Sequence, residues 1–392
     1  MWKQALAVTA LNLRTLPTRV WSSLVVVLGV AGVVAVVVSV LAMVTGLIDS
    51  MQHAGRADRA IVLRGGSDTE MSSTLSRQSV LTILDAPGIR HERDGRPDSS
   101  AETVLIVSRP MRNGGTDANV TLRGVGLQGL ALRPEIQLAE GRWFTPGLHE
   151  LVVGRSAQKQ FAGLELGSHV TMHDTDWTIV GVFASGGDVH ESEILGDADT
   201  IMAVWRHDLF QSVTVQLESP AAFVTFKDAL TTNPQLSVEV HRETDYLAKL
   251  SESLTRVMNL IARVVGSIMA VGAIFGALNT MYSAVSGRTR EIATLRAIGF
   301  SAMPIVVSVM IEALILSLLG GTTGAIVAWA LFNGHGVNAL GGNFSQLVFR
   351  LTVTSALMFQ GIVWAITIGL IGGLFPAIRA GRLPVTEALR AL

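Results

Sequence analysis

Two groups of His and carboxylate side chains in the middle of the chain are of types that could hold a metal ion. They are His169, His173, Asp174 and Asp176 in the first group, and Asp188, His190, Glu191 and Glu193 in the second. Zinc sites in proteins draw such ligands from supporting elements at characteristic spacings. The first group falls on a strand and its turn, and the second follows a Gly-Gly pair in a loop. We therefore expect no metal site at either group.

Nucleotide and hydrolytic chemistry have no recognisable motif in this sequence. No G-x-x-x-x-G-K-[ST] occurs and no Lys follows a Gly, so the chain is not expected to bind ATP in the manner of a P-loop. No G-x-S-x-G occurs either, and no local Ser, His and Asp arrangement can be named. We expect this chain to be no enzyme and to bind no cofactor itself.

Four long apolar stretches decide the fold class. They cover residues 20–47, 257–282, 303–332 and 352–376. A helix across the hydrocarbon core takes about 20 apolar residues, so each stretch is long enough to span a membrane. Hydrophobic residues make up 49% of the chain and charged residues 16%, a balance that is too apolar for a typical soluble protein.

The sequence predicts four transmembrane helices, one before and three after a large extracytoplasmic α+β domain. Alternating or β-rich runs at 60–63, 103–107 and 177–183 predict strands in that domain. The predicted segments are an N-terminal cytoplasmic segment 1–19, a first span 20–47, a domain of two α+β subdomains 48–242, a stalk helix that continues into the second span 243–282, a cytoplasmic helix 283–302, a third span 303–332, a short external loop 333–351, a fourth span 352–376 and a cytoplasmic tail 377–392.

The distribution of Lys and Arg predicts the orientation. Basic residues are concentrated in three places outside the spans. They are Lys3, Arg14 and Arg19 before the first span, Arg288, Arg290 and Arg296 after the second, and Arg379, Arg382 and Arg390 after the fourth. Residues 335–346 have none. Short cytoplasmic loops are rich in Lys and Arg, so both termini should be cytoplasmic and the large domain extracytoplasmic, in a multi-pass membrane protein.

Composition excludes two further classes. The chain has no Cys, so its external domain has no disulfides and no thiolate metal site. Its net charge of -1 gives no general basic character for binding nucleic acid.

Small and polar residues inside the spans are candidates for helix contacts. Gly272 with Gly276, and Gly320 with Gly324, form Gly-x-x-x-Gly pairs that permit close helix approach, either at a dimer seam or sliding helix pair, or in static packing within one bundle. Glu312 lies deep in the third span. It would act there as a proton relay or substrate contact, or it would form a structural hydrogen bond to a neighbouring helix. No second ionisable side chain is expected at its depth. Asn279 is another intramembrane polar residue.

A stripe of apolar residues continues from the domain into the second span. It consists of Leu247, Leu250, Leu254, Val257 and Ile261. The 3,4 spacing is heptad-like and predicts one continuous helix that rises from the membrane as a stalk. Such a stalk would transmit motion as a rigid rod, or pack on an extension of the first span, or do both.

The loop after the second span has the pattern of a short amphipathic helix. Ile292, Leu295 and Ile298 are its apolar positions, and Gly299 should end it. It would anchor at the inner lipid surface or dock a cytoplasmic protein.

Several runs of residues together resemble the MacB/FtsX-type family of ABC transporter permeases. They are Arg288-Thr289-Arg290-Glu291-Ile292, Leu295-Arg296-Ala297-Ile298-Gly299, Glu312-Ala313-Leu314, Leu318-Leu319-Gly320-Gly321, Pro376-Ala377-x-Arg379-Ala380 and Pro384-Val385-x-Glu387-Ala388-Leu389-Arg390. Gly141-Arg142-Trp143-Phe144 and Thr178-Ile179-Val180-Gly181-Val182 are similar to the family's periplasmic core domain. Gly287 stands where the family often has Glu.

The resemblance implies partners and a mechanism. It implies a homodimer, or a heterodimer with a similar permease, served by two copies of a separate ATPase subunit that holds ATP and Mg. The helix at 286–300 would be the coupling helix that contacts this ATPase, through Arg288, Arg290, Glu291, Ile292, Leu295, Arg296 and Gly299. A periplasmic adaptor and an outer-membrane factor are further partners of such permeases, beside membrane lipids.

Two functions fit these expectations. The first is the permease subunit of an ATP-driven exporter that works by mechanotransmission and extrudes a lipid, lipoprotein, peptide or drug from the periplasm or outer leaflet. The alternative is an FtsX-like signalling device that activates a periplasmic cell-wall hydrolase and moves no cargo. A periplasmic or intramembrane enzyme is disfavoured because no catalytic constellation can be named.

Overall fold

The computed structural model describes residues 8–9, 20–112, 114, 116–340 and 346–382 of the chain. The basic residues Lys3, Arg14, Arg19 and Arg390, and the run that begins at Pro384, lie outside this description. The chain forms two compact units. The membrane unit comprises the described parts of 1–45, 257–335 and 351–392, and the sheet domain comprises 46–256 and the described parts of 336–350.

The helices and strands have the following bounds. The helices are α1 Val20–Ala54, α2 Arg77–Leu84, α3 Leu127–Ala131, α4 Arg155–Gln160, α5 Ala198–Trp205, α6 Ala222–Thr231, α7 Glu243–Ser286, α8 Thr289–Ala297, α9 Ala302–Phe332 and α10 Ser355–Arg382. The strands are β1 Arg59–Arg64, β2 Leu75–Ser76, β3 Ser99–Pro110, β4 Asp117–Val125, β5 Gln137–Gly141, β6 Glu150–Gly154, β7 His169–Met172, β8 Thr175–Ala184, β9 Ile194–Asp197, β10 Leu209–Phe210, β11 Ser212–Gln216, β12 Val238–Arg242, β13 Gly336–Leu340 and β14 Gln346–Arg350. Two 3-10 turns cover Glu70–Ser72 and Val189–Ser192.

Four of these helices contain stretches that are long and apolar enough to cross a membrane. The stretches are Ser23–Ala54, Thr255–Ser286, Ala302–Phe332 and Ser355–Arg382. A sheet-rich domain separates the first from the other three. The predicted fold class is therefore confirmed, with one membrane helix before the domain and three after it.

Several segment ends differ from the predicted ones. Helix α1 continues to Ala54 and α10 continues to Arg382, past the predicted ends at 47 and 376. Pro376 lies inside α10 and does not end it. Proline removes one helical hydrogen bond, but neighbouring helices and local adjustments make up for this loss in membrane bundles. The segment 333–351, predicted only as a loop, contains the paired strands β13 and β14.

Glycines of α9 and α10 bring three membrane helices close together. A Cβ on Gly320 would lie 2.7 Å from the carbonyl oxygen of Val27 in α1, and one on Gly324 would overlap the carbonyl oxygen of Ala31. A Cβ on Gly373 of α10 would lie 2.6 Å from Ala313 of α9. The Gly320/Gly324 pair therefore serves static packing within this bundle. The surrounding core is built from Val and Ala side chains of α1 and from residues of α7, α9 and α10.

The sheet domain is organised around a ten-stranded sheet. Its strand order is β12-β1-β11-β3-β4-β9-β6-β8-β5, with β7 paired to β8. Most neighbours are antiparallel, and β4–β9 and β6–β8 are parallel. The runs 60–63, 103–107 and 177–183 all lie in strands, which confirms that part of the sequence prediction.

The sheet supports two large apolar cores. One lies on β1, β11 and β12, where α2 and α6 contribute Ile83, Phe226 and Leu230. The other lies on β4, β6, β7, β8 and β9, around the fully buried Trp177 and Phe161. The first core combines residues from both ends of the domain sequence, and the second uses its middle. The two cores thus share one sheet and do not follow each other along the chain.

We expect Gly324→Ala to destabilise the membrane unit, because its added Cβ has no room against α1. Overpacking of a filled core typically costs about 1–3 kcal/mol. The measurement is the thermal unfolding midpoint of the purified chain in detergent. Gly29→Ala is the matched control, since no described heavy atom lies within 4 Å of a Cβ at Gly29. Equal midpoints for the two variants would contradict this account of the packing.

Candidate functional site

Helix α8 forms where the sequence predicts a short amphipathic helix. It begins after Arg288, and Gly299 follows its end with a φ of 104°. Glycine adopts this left-handed conformation without steric cost, so it is the usual residue at a helix C-terminus. The amide of Gly299 donates to the carbonyl of Arg296, and that of Phe300 donates to Leu295. The predicted role of Gly299 as the end of the helix is confirmed.

Arg288 and Glu312 form a buried ion pair. The guanidinium Nη1 and Nη2 of Arg288 donate to the carboxylate of Glu312 at 3.0 and 3.4 Å. The two residues are only 4% and 5% exposed. We expected no second ionisable side chain at the depth of Glu312, but the Arg288 side chain reaches it from the turn before α8. Arg288 is also not at the surface, where the predicted ATPase contact would require it. Glu312 instead has the structural, helix-joining contact that was one of its two interpretations.

Helix α8 carries two exposed charges, Arg290 and Glu291, and Glu291 also borders the cavity described below. Ile292 is buried and Leu295 is half-buried. Ile298 is 72% exposed, so the predicted apolar stripe ends before it. Ile298 follows Ile292 by six positions. At 3.6 residues per turn, this places the two side chains about 120° apart around the helix axis.

Further contacts attach α8 to the bundle. Arg296 donates to the carbonyl of Gly381 in α10 at 2.8 Å. Behind α8, a cavity of about 290 Å³ separates it in part from α7 and α9 and is bordered by Arg288 and Glu312. Helix α8 is thus fixed at defined points and is not packed against the bundle along its whole length.

Helix α7 presents an open face of small and polar residues. A Cβ on Gly272 or Gly276 would meet no described atom within 4 Å. Asn279 follows on the same face and is exposed. This face differs from that of Gly320 and Gly324, which is covered by α1.

The described residues of the predicted stalk stripe are buried or half-buried at its N-terminal end and exposed at its C-terminal end. A single helix does run from Glu243 to Ser286. Leu247 is buried, and a Cβ on Gly55, just after α1, would lie 3.0 Å from its Cδ1, so this end packs on the extension of the first span. Leu250 is half-buried. Val257 and Ile261 are 53% and 49% exposed. The Leu254 side chain lies outside the described part of the structure.

The two candidate metal groups are used in other ways. His169 contacts the Thr178 hydroxyl at 3.1 Å, and His173 stacks on Trp205. Asp188 caps the 3-10 turn by accepting from the amide of His190, and Glu191 accepts from the amides of Ser185 and Gly187. Among the described residues, no group of three or more His, Asp or Glu has the arrangement of a metal site.

The sheet domain contains a buried ionic cluster that sequence reasoning missed. Its residues are Arg59, Arg123, Arg133, Glu70, Glu102, Glu135, Glu193 and Glu243, and we call them the ionic cluster. Arg123 of β4 lies at its centre and pairs at 2.7–2.9 Å with Glu70, Glu102 and Glu193. Arg133 pairs with the other oxygen of Glu102 at 2.6 Å. Periodicity could not reveal the cluster because its members come from separate elements.

Arg59 joins the ends of two long helices to the sheet. Its fully buried guanidinium pairs with Glu243, the first residue of α7, at 2.5 Å and with Glu135 at 2.7 Å. It also donates to the carbonyls of Ala54, the last residue of α1, and of Leu132. The ends of α1 and α7 in this domain are thereby held at one side chain.

Electrostatics favours the charged form of the central carboxylate. Burial opposes ionisation of Glu102, but Arg133 and Arg123 outweigh it and lower the pKa of Glu102 to about 2. A carboxylate with a lowered folded pKa stabilises the fold above its unfolded pKa, and this contribution is lost as pH falls towards the folded value. Ionised Glu102 therefore contributes stability at neutral pH.

Two family models match this chain, one over most of the first span and the sheet domain and one over the last three spans. The sequence model of the MacB-like periplasmic core domain matches residues 23–233. The sequence model of the FtsX-like permease C-terminal domain matches residues 263–385. The chain belongs to the MacB/FtsX-type ABC transporter permease family. The family resemblance of the sequence motifs is thereby confirmed.

Curated relatives of this permease are named macrolide export ATP-binding/permease protein MacB. That of Chlorobium phaeobacteroides is 24% identical over 93% of this chain and 57% of its own length. That of Pasteurella multocida is 28% identical over 74% of this chain and 46% of its own length. The permease described here thus spans about half the length of the curated relatives that it matches.

Solved structures of extracytoplasmic parts of such permeases also match. The periplasmic region of MacB from Actinobacillus actinomycetemcomitans covers 54% of this chain and 97% of its own, at 14% identity and a TM-score of 0.36. The extracellular domain of YknZ from Gram-positive bacteria covers 47% and 99%, at 16% identity and a TM-score of 0.35.

We expect Glu312→Ala in this permease to cost about 3–5 kcal/mol of stability, because it leaves the buried Arg288 charge without a partner. The double variant Arg288→Met/Glu312→Leu should recover most of the loss, since it removes both charges. Thermal unfolding in detergent measures all three proteins. A double variant less stable than Glu312→Ala would show that the pair itself, and not the unpaired charge, governs stability.

Proposed function

We propose that this chain is the permease subunit of an ATP-driven ABC exporter that works by mechanotransmission. The observation that carries the proposal is the exposed pair Arg290 and Glu291 on α8, inside the FtsX-like permease region of a sequence without a P-loop motif. A separate ATPase subunit, in two copies, binds ATP and Mg and contacts α8 through these two charges. The name of the MacB relatives, which joins ATP binding to a permease, supports such a pairing of functions.

The attachments of α8 provide a route for the motion. A displacement of α8 by the ATPase acts on α9 through the Arg288–Glu312 ion pair and on α10 through the Arg296–Gly381 hydrogen bond. The cavity behind α8 leaves it room to shift. Ile292 and Leu295 contribute apolar packing to the same helix, whereas Arg290 and Glu291 form the contact surface.

Cargo is handled outside the membrane in this mechanism. The described interior of the membrane unit is packed with Val, Ala, Leu and Ile side chains, a poor lining for the passage of polar cargo. Helix α7 runs without interruption from Glu243 to Ser286 and is suited to carry motion along its axis. The cargo is a lipid, lipoprotein, peptide or drug in the periplasm or outer leaflet, and an adaptor and an outer-membrane duct complete the route.

The protein is multi-pass, and we assign it to the bacterial inner membrane with the sheet domain in the periplasm. The Lys and Arg distribution supports cytoplasmic termini. The partner within the membrane is a second copy of the chain, which packs against the open face of α7. An exposed amide such as that of Asn279 is unfavourable in lipid, and a second helix would satisfy it.

Arg290→Ala/Glu291→Ala should abolish binding of the ATPase, and with it export, without a change in folding, since both side chains are exposed. Co-purification of the ATPase with the tagged permease from its native membrane is the measurement. The matched control is Glu252→Ala/Arg256→Ala, which removes an equally charged, exposed pair at 2.6 Å on α7.

Normal ATPase binding and export by the α8 variant would overturn the coupling assignment. Mass spectrometry of the same purification tests the broader function. An adaptor among the bound proteins supports the exporter. A cell-wall hydrolase or its activator, together with normal export in a deletion strain, would replace the exporter with an FtsX-like signalling function.

A homodimer through α7 predicts a disulfide between two copies of Asn279→Cys. The chain has no Cys of its own, so one introduced thiol reports one position. A disulfide needs Cα atoms about 4.4–6.8 Å apart, which a closely packed helix pair provides. Oxidation in native membranes followed by non-reducing electrophoresis is the measurement. Ile326→Cys, on an exposed position of α9, is the control. Crosslinking of both variants alike, or of neither, would contradict this interface.

A further inference from the structure

A small cavity lies beside the ionic cluster in the sheet domain. Its volume is about 70 Å³. Its lining comes from every long segment of the domain that leads towards a predicted span: Met51 from α1, Tyr246, Leu247 and Leu250 from α7, and Leu347 from β14. The lining also contains six charged or ionisable residues: Glu70, Arg123, Arg133, His190, Glu193 and Glu243. One water needs about 10–15 Å³ of such space, so the cavity accommodates a few waters.

Two buried nitrogens at this cavity have no hydrogen-bond partner among the described residues. They are Nε2 of His190 and Nε of Arg133. The residues are 5% and 4% exposed, so bulk water does not solvate them freely. Buried polar groups are nearly always hydrogen-bonded, and a polar cavity of sufficient size is the usual place for ordered water. Water in the cavity would give both nitrogens a hydrogen-bond partner.

Carboxylates outnumber guanidiniums in the ionic cluster, so one proton on a neighbouring base would reduce the excess of negative charge. Three guanidiniums, those of Arg59, Arg123 and Arg133, face five carboxylates, those of Glu70, Glu102, Glu135, Glu193 and Glu243. The buried imidazole of His190 is the group that can take up a proton near neutral pH. Its Nδ1 lies 3.2 Å from the Glu193 carboxylate.

The charged neighbours of His190 come from several elements. On its own 3-10 turn, Asp188 accepts from the amide of His190. Glu191 is turned away towards the amides of Ser185 and Gly187. Across the cavity stand Arg133, Arg123, the Glu70 carboxylate, and Glu243 with Tyr246 of α7, while β14 contributes the apolar Leu347.

We propose that this cavity is a hydrated proton-binding site, in which a proton on His190 tightens the ionic cluster that holds the start of α7. The imidazolium donates from Nδ1 to Glu193, which Arg123 also holds, and from Nε2 to cavity water that faces Glu70 and Glu243. Proton uptake forms one N–H bond of the imidazolium and breaks one O–H bond of a hydronium ion, which leaves a neutral water. Loss of the proton leaves the excess carboxylates repelling one another and loosens the hold on Glu243 and Tyr246.

The titration of His190 agrees with this geometry. Burial lowers the pKa of His190, but Glu193 and Asp188 outweigh burial and leave that pKa raised. A raised folded pKa stabilises the fold fully below the unfolded value of about 6.5, and the contribution is lost as pH rises through the folded pKa. The ionic cluster is therefore expected to be tighter at neutral and mildly acidic pH, where His190 is protonated, and looser at alkaline pH.

The first test compares the wild-type chain with His190→Gln in detergent, by thermal unfolding between pH 6 and pH 9. We expect the wild-type midpoint to exceed that of the variant by several degrees at pH 6 and the difference to shrink by at least half at pH 9. The matched control is His241→Gln, which removes a half-exposed His–Glu pair at 3.4 Å on β12. Its profile should run parallel to that of the wild type.

The second test observes the hold on α7 directly. Spin labels at Leu81→Cys in α2 and Glu252→Cys in α7, both exposed positions, report the distance distribution inside the sheet domain of the full chain. We expect the distribution to broaden from pH 6 to pH 9 with His190 present and to be unchanged by pH in the His190→Gln background. Parallel unfolding profiles in the first test, or an equal response to pH in both backgrounds in the second, would overturn the proposal. Neither measurement depends on transport or on the ATPase.

Discussion

The burial of the Arg59 guanidinium is the constraint on which the sheet domain depends. An arginine remains charged at any biological pH, and each of its five N–H groups needs an acceptor when water is excluded. The four acceptors found come from the end of α1, the start of α7 and the loop before β5. A chain that placed either helix end elsewhere would leave a buried charge unpaired, which costs several kcal/mol. The side chain therefore specifies where the two helices meet the sheet.

The membrane unit also contains a buried, paired guanidinium, that of Arg288. There the Arg288–Glu312 pair sets the position of α8 relative to α9, while the rest of the unit is held by close contacts at glycines. Helix packing in lipid depends on van der Waals contact, which small residues such as glycine permit at close range. A buried ion pair has a defined geometry, since displacement exposes charge to a low-dielectric surrounding. The described part of the bundle is therefore held by both kinds of contact, close helix packing at glycines and one buried ion pair.

Local pattern made the spans, the long α7 and the end of α8 predictable from sequence. Each of these depends on periodicity or on one residue, such as Gly299, acting through its own backbone. The ion pairs were not predictable, because Glu312 lies 24 residues from Arg288 and Glu243 lies 184 residues from Arg59. Ile298 was misplaced because its apolar character suggested a stripe that the helical period does not support. The paired strands β13 and β14 were missed because β13 contains Gly336 and Asn338, residue types that are uncommon in strands.

The strand order also has a consequence for the time course of biogenesis. Strand β1 pairs with β11 and β12, so Ala60 finds its partners Val215 and Arg242 only after most of the domain has been synthesised. At about 5–20 residues per second, this wait lasts on the order of 10–40 s. Throughout that interval an apolar strand next to a membrane helix has unpaired backbone groups on both sides. Until β12 has been made, this strand is therefore open to pairing with other chains.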